Sequence, residues 1–171
     1  MHLLRHTLPD TDDRRPMTIV VIGLGNDLRR DDGIGPTVAR AVAPKVGPDV
    51  QTVASGGDPV ALLELWAGAD LTVIVDAVIC DPPRPGVVHR LTPAELDAMR
   101  AGMFSTHGIS LNDAVRLGAV LDRLPRRMVI LAVEIADLDD GRGLSPAVGR
   151  AVDAVVSAVL SEIGAPSERV V

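Results

Sequence analysis

The chain has 171 residues and a formal net charge of −6, and 47% of its residues are hydrophobic. That length fits one domain with a single sizeable core. The negative charge argues against nucleic acid or an anionic membrane as the main partner, because both are bound through concentrated Lys and Arg. With one Trp, one Phe and no Tyr, the core must be aliphatic, which suits buried parallel strands.

The cysteine content and the N-terminal segment indicate the compartment. Cys80 is the only cysteine, which excludes an internal disulfide and metal sites of two or four thiolates within one chain. Residues 1–17 are charged, and their apolar run is too short for a signal peptide. We therefore expect a cytoplasmic protein with a disordered extension at 1–17, a single domain at 18–162 and a tail at 163–171.

The first half of the chain alternates strand and helix patterns. β-branched runs at Thr18–Gly23 and Val50–Ala54 predict two buried strands. Pro36 fits the first turn of a helix between them. Asp58 followed by Pro59 is a cap and first-turn pair, which predicts the start of a second helix.

The most apolar strand pattern is Leu71–Val78, in which Asp76 is the only charged residue. A proline-rich loop follows at 81–85, and then a weaker strand pattern at Gly86–Leu91. The segment Thr92–Glu95 has the form of a capping box, which predicts a short helix after that strand.

The last third continues the alternation. Ser110 and Asp113 form another capping pair, which predicts a helix that begins just after His107. Met128–Ile135 predicts the last strand, and the pair Ser145-Pro146 predicts the start of a final amphipathic helix.

Strands that alternate with helices at this spacing predict a three-layer α/β/α domain with a mostly parallel sheet. In such a domain the ligand crevice lies beyond the carboxyl ends of the strands. The loop after the first strand, the end of the third strand and the loop before the Ser110 helix can all reach that crevice. Polar residues at these three places are therefore the candidates for chemistry.

The segment Gly23–Gly35 lies between the first strand and the first helix, and it contains two adjacent acids, Asp31 and Asp32. Its glycines permit close approach of the backbone. A dinucleotide fingerprint does not fit, because Leu28 occupies the third glycine position and the acids would repel phosphate. The acids are interpreted either as helix caps or as one cap and one group that points into the crevice.

Asp76 and His107 are the other candidates. A carboxylate in an apolar strand is unfavourable unless it is paired, hydrogen-bonded or bound to a cation, so Asp76 indicates an ion pair or a metal ligand. His107 precedes a helix whose positive end disfavours imidazolium, although a solvated loop histidine is the alternative. Two carboxylates and one imidazole match a divalent-metal site with open positions for water or substrate.

Four motifs stand out along residues 18–162. They are Gly23-Leu24-Gly25-Asn26 with Asp31-Asp32-Gly33-Ile34-Gly35, Val75-Asp76-Ala77-Val78, Ser105-Thr106-His107-Gly108 with Leu111, and Gly143-Leu144-Ser145-Pro146. In this order they resemble the [NiFe]-hydrogenase maturation endopeptidases. The resemblance implies a phosphorylase/hydrolase-like fold with a mixed, mostly parallel five-stranded sheet, in which Gly86–Leu91 is the antiparallel strand. It also implies a metal site, which carries over to Asp32, Asp76 and His107.

The function implied by this resemblance is that of a nickel-dependent endopeptidase. Such an enzyme removes the C-terminal extension of a [NiFe] hydrogenase large-subunit precursor after nickel insertion. The divalent metal would be nickel supplied by that partner, and Asp32, Asp76 and His107 would be both metal ligands and catalytic residues. The metal would polarise the scissile carbonyl or activate a water molecule. We expect a monomer with no nucleic-acid or membrane partner.

The chain departs from the family's pattern at two places. Asp32 stands where some members carry Glu, so its side chain has a shorter reach. The stretch Ser55-Gly56-Gly57-Asp58 stands where many members carry Asp-Gly-Gly-Thr. That stretch is associated with substrate selection in the family, which leaves a different partner open.

Two other functions are weighed against this one. A non-catalytic nickel- or metal-binding accessory protein would use the same three ligands. A peptidyl-tRNA hydrolase also has Gly-Leu-Gly-Asn after its first strand, but this chain shows neither the early catalytic His nor a basic face. The remaining candidates have simpler interpretations. Cys80 is interpreted as a packed or loop thiol and not a nucleophile, Asp31 as a cap or a general base, and His2, His6 and His89 as surface residues.

Overall fold

The computed structural model describes residues 16–98, 103–105 and 108–164, so most of the predicted extension and tail lie outside the described residues. Within these ranges the strands are β1 (Ile19–Leu24), β2 (Val50–Ser55), β3 (Leu71–Cys80), β4 (Val88–Leu91), β5 (Met103–Ser105) and β6 (Arg127–Glu134). The helices are α1 (Ile34–Val42), α2 (Pro59–Trp66), α3 (Pro93–Ala98), α4 (Gly108–Val120) and α5 (Pro146–Gly164), with short 3-10 turns at Arg30–Gly33 and Ala43–Lys45.

Five strands form a mixed sheet in the order β2-β1-β3-β6-β4. The first four of these are parallel, whereas β4 runs antiparallel to β6. The predicted antiparallel strand is thus confirmed, with bounds Val88–Leu91. The three-residue strand β5 was not predicted, and it pairs antiparallel with the end of β3.

Helices cover both faces of the sheet and give the predicted three layers. On one face, α1 and α5 pack over strand residues such as Val21, Val73 and Leu131. On the other face, α2, α3 and α4 cover the alternate residues, such as Ile22 and Ile74. Among the described residues, no helix is long and apolar enough to cross a membrane.

Two of the predicted helix starts are confirmed by side-chain hydrogen bonds. Asp58 Oδ1 accepts a hydrogen bond from the backbone N–H of Ala61 at 2.9 Å. In the capping box, the Thr92 N–H donates to Glu95 Oε2 at 2.7 Å, and the Glu95 N–H donates to Thr92 Oγ1 at 3.3 Å.

The predicted cap at Ser110 is wrong, although α4 does begin just after position 107. The helix starts at Gly108, which places Ser110 inside the first turn. A Ser followed three residues later by an Asp indicates that a helix begins nearby, but it does not fix the residue at which the helix begins.

Candidate functional site

The strand order places a crevice between β1 and β3. From β1 the chain passes through α1 to β2 on one side, and then through α2 to β3 on the other side. In α/β sheets the point where the strand order reverses is where ligands bind, at the carboxyl ends of the strands. Asp32 follows β1, and Asp76 lies one residue beyond Val75, the last β3 residue paired with β1. Both acids therefore flank this crevice.

Glycines allow the Asp32 turn to approach the sheet closely. The turn Arg30–Gly33 contacts β3. A Cβ on Gly35 would lie 2.1 Å from the Leu24 carbonyl oxygen and 2.7 Å from that of Val75. Gly25 has φ +146°, and a Cβ there would lie 1.9 Å from the carbonyl oxygen of Asp32. Any side chain at these two positions would push the Asp32 turn away from the strands.

Both carboxylates are buried, with Asp32 0% and Asp76 1% exposed. Asp32 Oδ2 accepts a hydrogen bond from the Asn26 N–H at 3.0 Å, which fixes the orientation of its carboxylate. Two carboxylates at one crevice offer several oxygen donors, and a divalent cation that both of them bind would supply the opposite charge. The donor set therefore suits a hard or borderline metal ion.

His107, the third predicted ligand, lies outside the described residues, but the chain on both sides of it is described. β5 ends at Ser105, which pairs with Val78, two residues along β3 from Asp76. On the other side, α4 begins at Gly108. The structure thus places Asp32 and Asp76 at the same end of the sheet, and the third predicted site residue lies outside the described residues.

Asp31 has a structural role that differs from the predicted cap. The N-cap of α1 is Gly33, with no side-chain hydrogen bond. Asp31 Oδ1 instead accepts a hydrogen bond from the Ser145 N–H at 2.7 Å, and its Oδ2 accepts from Ser145 Oγ at 3.0 Å and the Asp137 N–H at 3.2 Å. The capping interpretation was wrong, because the groups that donate to Asp31 belong to a loop over 100 residues away in sequence. Asp31 therefore anchors the segment before α5.

A cleft of about 420 Å³ opens beside Asp32. Its lining is Gly25, Asn26, Asp27, Arg29, Asp32, Pro36, Ala54, Ser55 and Gly56. The segment Ala54–Gly56 also lines a second cleft of about 660 Å³, between β2 and α2. Both clefts therefore lie beside the edge strand β2, and we call the two of them together the β2 groove.

One wall of the β2 groove near Asp32 carries an ion pair. Arg40 donates two hydrogen bonds to the carboxylate of Asp27, at 2.7 and 2.9 Å. The hydrogen bond from Arg40 lowers the pKa of Asp27 against the opposing effect of its partial burial. Asp27 is therefore ionised at neutral pH, but it is neutralised by its partner.

The prediction that His89 is a surface residue was wrong. Its Nε2 lies 2.7 Å from Glu134 Oε1, and its side chain is only 23% exposed. Glu134 is fully buried and also accepts hydrogen bonds from the backbone N–H and the guanidinium of Arg84, at 2.7 and 2.9 Å. The sequence carried a signal, because Glu134 is the only charged residue in the apolar pattern Met128–Ile135.

Cys80 lies beside this group, at the end of β3, and is partly buried, so of the two predicted settings, packed or in a loop, the structure gives the packed one. Burial raises the pKa of Cys80, and the negative charge of Glu134 raises it further. The thiol is therefore protonated at neutral pH, which argues against a cysteine nucleophile.

Comparisons with known proteins identify the family of this chain. The family model described as hydrogenase maturation protease matches residues 34–162. The hydrogenase 2 maturation protease of Escherichia coli K12 is 27% identical over 149 residues, which are 86% of this chain and 91% of that protein.

Solved structures with the same fold include two related proteins. The hydrogenase maturating endopeptidase HybD from E. coli has a TM-score of 0.78 at 26% identity, covering 86% of this chain and 92% of that one. The [NiFe] hydrogenase maturation protease HybD from Thermococcus kodakarensis has a TM-score of 0.74 at 28% identity, covering 85% of this chain and 99% of that one. The family model matches well over half of this chain, which therefore belongs to the hydrogenase maturation proteases, a family of endopeptidases.

Proposed function

We propose that this chain is a nickel-dependent endopeptidase that removes the C-terminal extension of a [NiFe] hydrogenase large-subunit precursor after nickel insertion. The supporting observation is that the buried carboxylates of Asp32 and Asp76 flank the crevice at the reversal of strand order. Membership of the family supports peptide hydrolysis. The name of the E. coli relative, hydrogenase 2 maturation protease, supports a hydrogenase as the substrate.

In this proposal the nickel is part of the substrate. Asp32 and Asp76 offer oxygen ligands and His107 offers a nitrogen ligand, whereas the precursor supplies thiolates. Nickel held between both sets of ligands positions the adjacent peptide bond and polarises its carbonyl or a water molecule. Water adds to the carbonyl carbon, the C–N bond breaks and the leaving amine takes up a proton. A precursor without nickel would lack the ion that joins it to the carboxylates.

The β2 groove gives the extension a path away from Asp32. An extended peptide can pair with an exposed strand edge through its backbone and present alternate side chains to the groove. In the stretch Ser55–Asp58, Ser55 and Gly56 line both clefts, and Asp58 lines the cleft beside α2. We propose that its side chains select the precursor, and that the enzyme acts as a monomer in the cytoplasm.

Incubation of the purified protein with a nickel-loaded large-subunit precursor tests this function. We expect mass spectrometry to show loss of the C-terminal extension with the wild-type protein. Asp76→Ala and His107→Ala should abolish that mass decrease. The matched control is Asp139→Ala, which changes an exposed acid outside the crevice and should leave cleavage intact.

The same experiment separates the protease from the non-catalytic alternative. A metal-handling accessory protein would bind the nickel-loaded precursor and leave its mass unchanged. Binding without cleavage, under conditions in which the wild-type protein is folded, would overturn the proposed activity.

A further inference from the structure

A second group of metal-binding side chains lies outside the crevice. Ligand atoms of Cys80, His89 and Glu134 all lie within 4.8 Å of one another. Cys80 ends β3, Glu134 ends β6, and His89 lies in β4. The group therefore joins three strands of the sheet that are adjacent in space.

This group is distinct from the crevice that holds Asp32 and Asp76. Asp76 pairs with Ala132 on β6, and Ala132 pairs with His89 on β4, so the three residues form a row across the sheet. Strands are spaced about 4.8 Å apart, which puts the backbones of Asp76 and His89 roughly 10 Å apart. The donors also differ, because this group contains a sulfur atom and the crevice offers carboxylates.

We propose that Cys80, His89 and Glu134 bind one Zn²⁺ ion at a site that we call the Cys80 site. Thiolate, imidazole and carboxylate are all zinc ligands, and three protein ligands leave a fourth position for water. Coordination releases the thiol proton of Cys80 to solvent. His89 binds through Nε2, which gives up the proton that faces Glu134 to solvent, and the ring then carries its one proton on Nδ1. The thiolate and the Glu134 carboxylate then balance the two charges of the ion.

Arg84 is the group that competes with the ion. Its guanidinium donates a hydrogen bond to Glu134 Oε1 at 2.9 Å, on the same oxygen that faces His89. The Arg84 side chain is 64% exposed, so it can move into solvent at small cost. Its backbone N–H still donates to Glu134 Oε2 at 2.7 Å and orients the carboxylate. Removal of the guanidinium should therefore strengthen zinc binding.

Titration with Co²⁺, followed by displacement with Zn²⁺, tests this site, because a cobalt–thiolate bond gives a charge-transfer absorption band. The host is the Asp76→Asn/His107→Ala variant, which lacks two of the three proposed crevice ligands. It is kept reduced with a phosphine. We expect one Co²⁺ per chain with this band, and its loss on addition of Zn²⁺. Cys80→Ser should abolish the band, and His89→Gln should weaken binding more than about tenfold. Arg84→Ala should tighten binding.

A thermal measurement provides an independent readout. Zn²⁺ that binds the folded state raises the Tm by mass action. We expect this increase in the host and in Arg84→Ala, but not in Cys80→Ser. The Tm of each variant without metal shows that it is folded.

Absence of the thiolate band in the host would overturn the proposal. Metal binding that Cys80→Ser and His89→Gln leave unchanged would also overturn it. Neither result would contradict the proposed peptidase activity, because the residues of the Cys80 site take no part in the proposed cleavage.

Discussion

Asp31 and Asp32 are adjacent and equally buried, yet the structure gives them different roles. Asp31 accepts three hydrogen bonds from Asp137 and Ser145, whereas Asp32 borders the cleft. The local pattern could not separate them, because both acids fit the first turn of a helix equally well, and only the family resemblance pointed to Asp32. Their difference comes from the loop before α5, which meets the turn only in the folded chain.

We predict that Asp31→Ala lowers the free energy of unfolding by about 2–4 kcal/mol, because it removes several charge-assisted hydrogen bonds at a buried site. Asp32→Asn keeps an oxygen that accepts from the Asn26 N–H, so its stability should change little. Its cleavage of a nickel-loaded precursor should nevertheless fall at least about a hundredfold. Urea unfolding and a cleavage assay per folded molecule measure the two effects.

The opposite pattern would reverse these assignments. A stable, inactive Asp31→Ala variant beside an active Asp32→Asn variant would make Asp31 the group that acts on the substrate.

At the scale of elements, the contact between β1 and α1 depends on glycine. A Cβ on Gly23 would lie 2.1 Å from the Gly35 carbonyl oxygen. A Cβ on Gly35 would lie 2.1 Å from the Leu24 carbonyl oxygen. These neighbours are backbone atoms, which cannot move as a flexible side chain would. The helix that follows the Asp32 turn can pack this closely only while both positions lack side chains.

Gly35→Ala should therefore reduce the free energy of unfolding by about 3 kcal/mol or more, since helix and strand must separate. Gly149→Ala is the matched control, because Gly149 lies in α5 with no atom within 4 Å of an added Cβ. It should stabilise the protein by about 0.5–1 kcal/mol. Urea denaturation of both variants gives the comparison, and equal effects would contradict the close packing of α1.

The attachment of α5 to the sheet should depend on pH. Glu162 of α5 contacts Arg90 of β4 at 2.5 Å and also Arg127 of β6. The hydrogen bond from Arg90 lowers the pKa of Glu162 below the ordinary value of 4.5, burial opposes this change, and Arg127 adds to the lowering. A lowered pKa stabilises the folded state above the unfolded value, and that contribution is lost as the pH falls through the folded pKa.

We expect Glu162→Gln to lose about 1 kcal/mol of stability near neutral pH, as for a partly exposed ion-pair network. The difference from wild type should be present at neutral pH, shrink as the pH falls below 4.5, and vanish at an acid pH below the lowered pKa of Glu162 in the folded protein. Unfolding curves at the two pH values measure it, with the exposed Glu64→Gln as control. A difference that persists in acid would show that packing, and not charge, explains the effect.

For the whole molecule, local patterns predicted most of the fold. Five of the strands and the alternation with helices follow from apolar runs, caps and prolines, which are local signals. The short strand β5 was missed because three residues carry too little pattern. The Cys80–His89–Glu134 group was missed because it requires the order β3-β6-β4, which no local signal encodes. Asp32 and Asp76 were identified through motifs, and strand order explains why both reach one crevice.

The last prediction concerns where the nickel comes from. Asp32, Asp76 and His107 supply no thiolate, so the enzyme alone should hold nickel weakly compared with the precursor's sulfur ligands. Enzyme treated with EDTA and then freed of it should cleave a nickel-loaded precursor at the untreated rate. A nickel-free precursor should stay uncut even when the enzyme has been preincubated with Ni²⁺. If EDTA treatment abolishes cleavage and added metal restores it, the catalytic ion belongs to the enzyme and the substrate-borne nickel is not the one that acts.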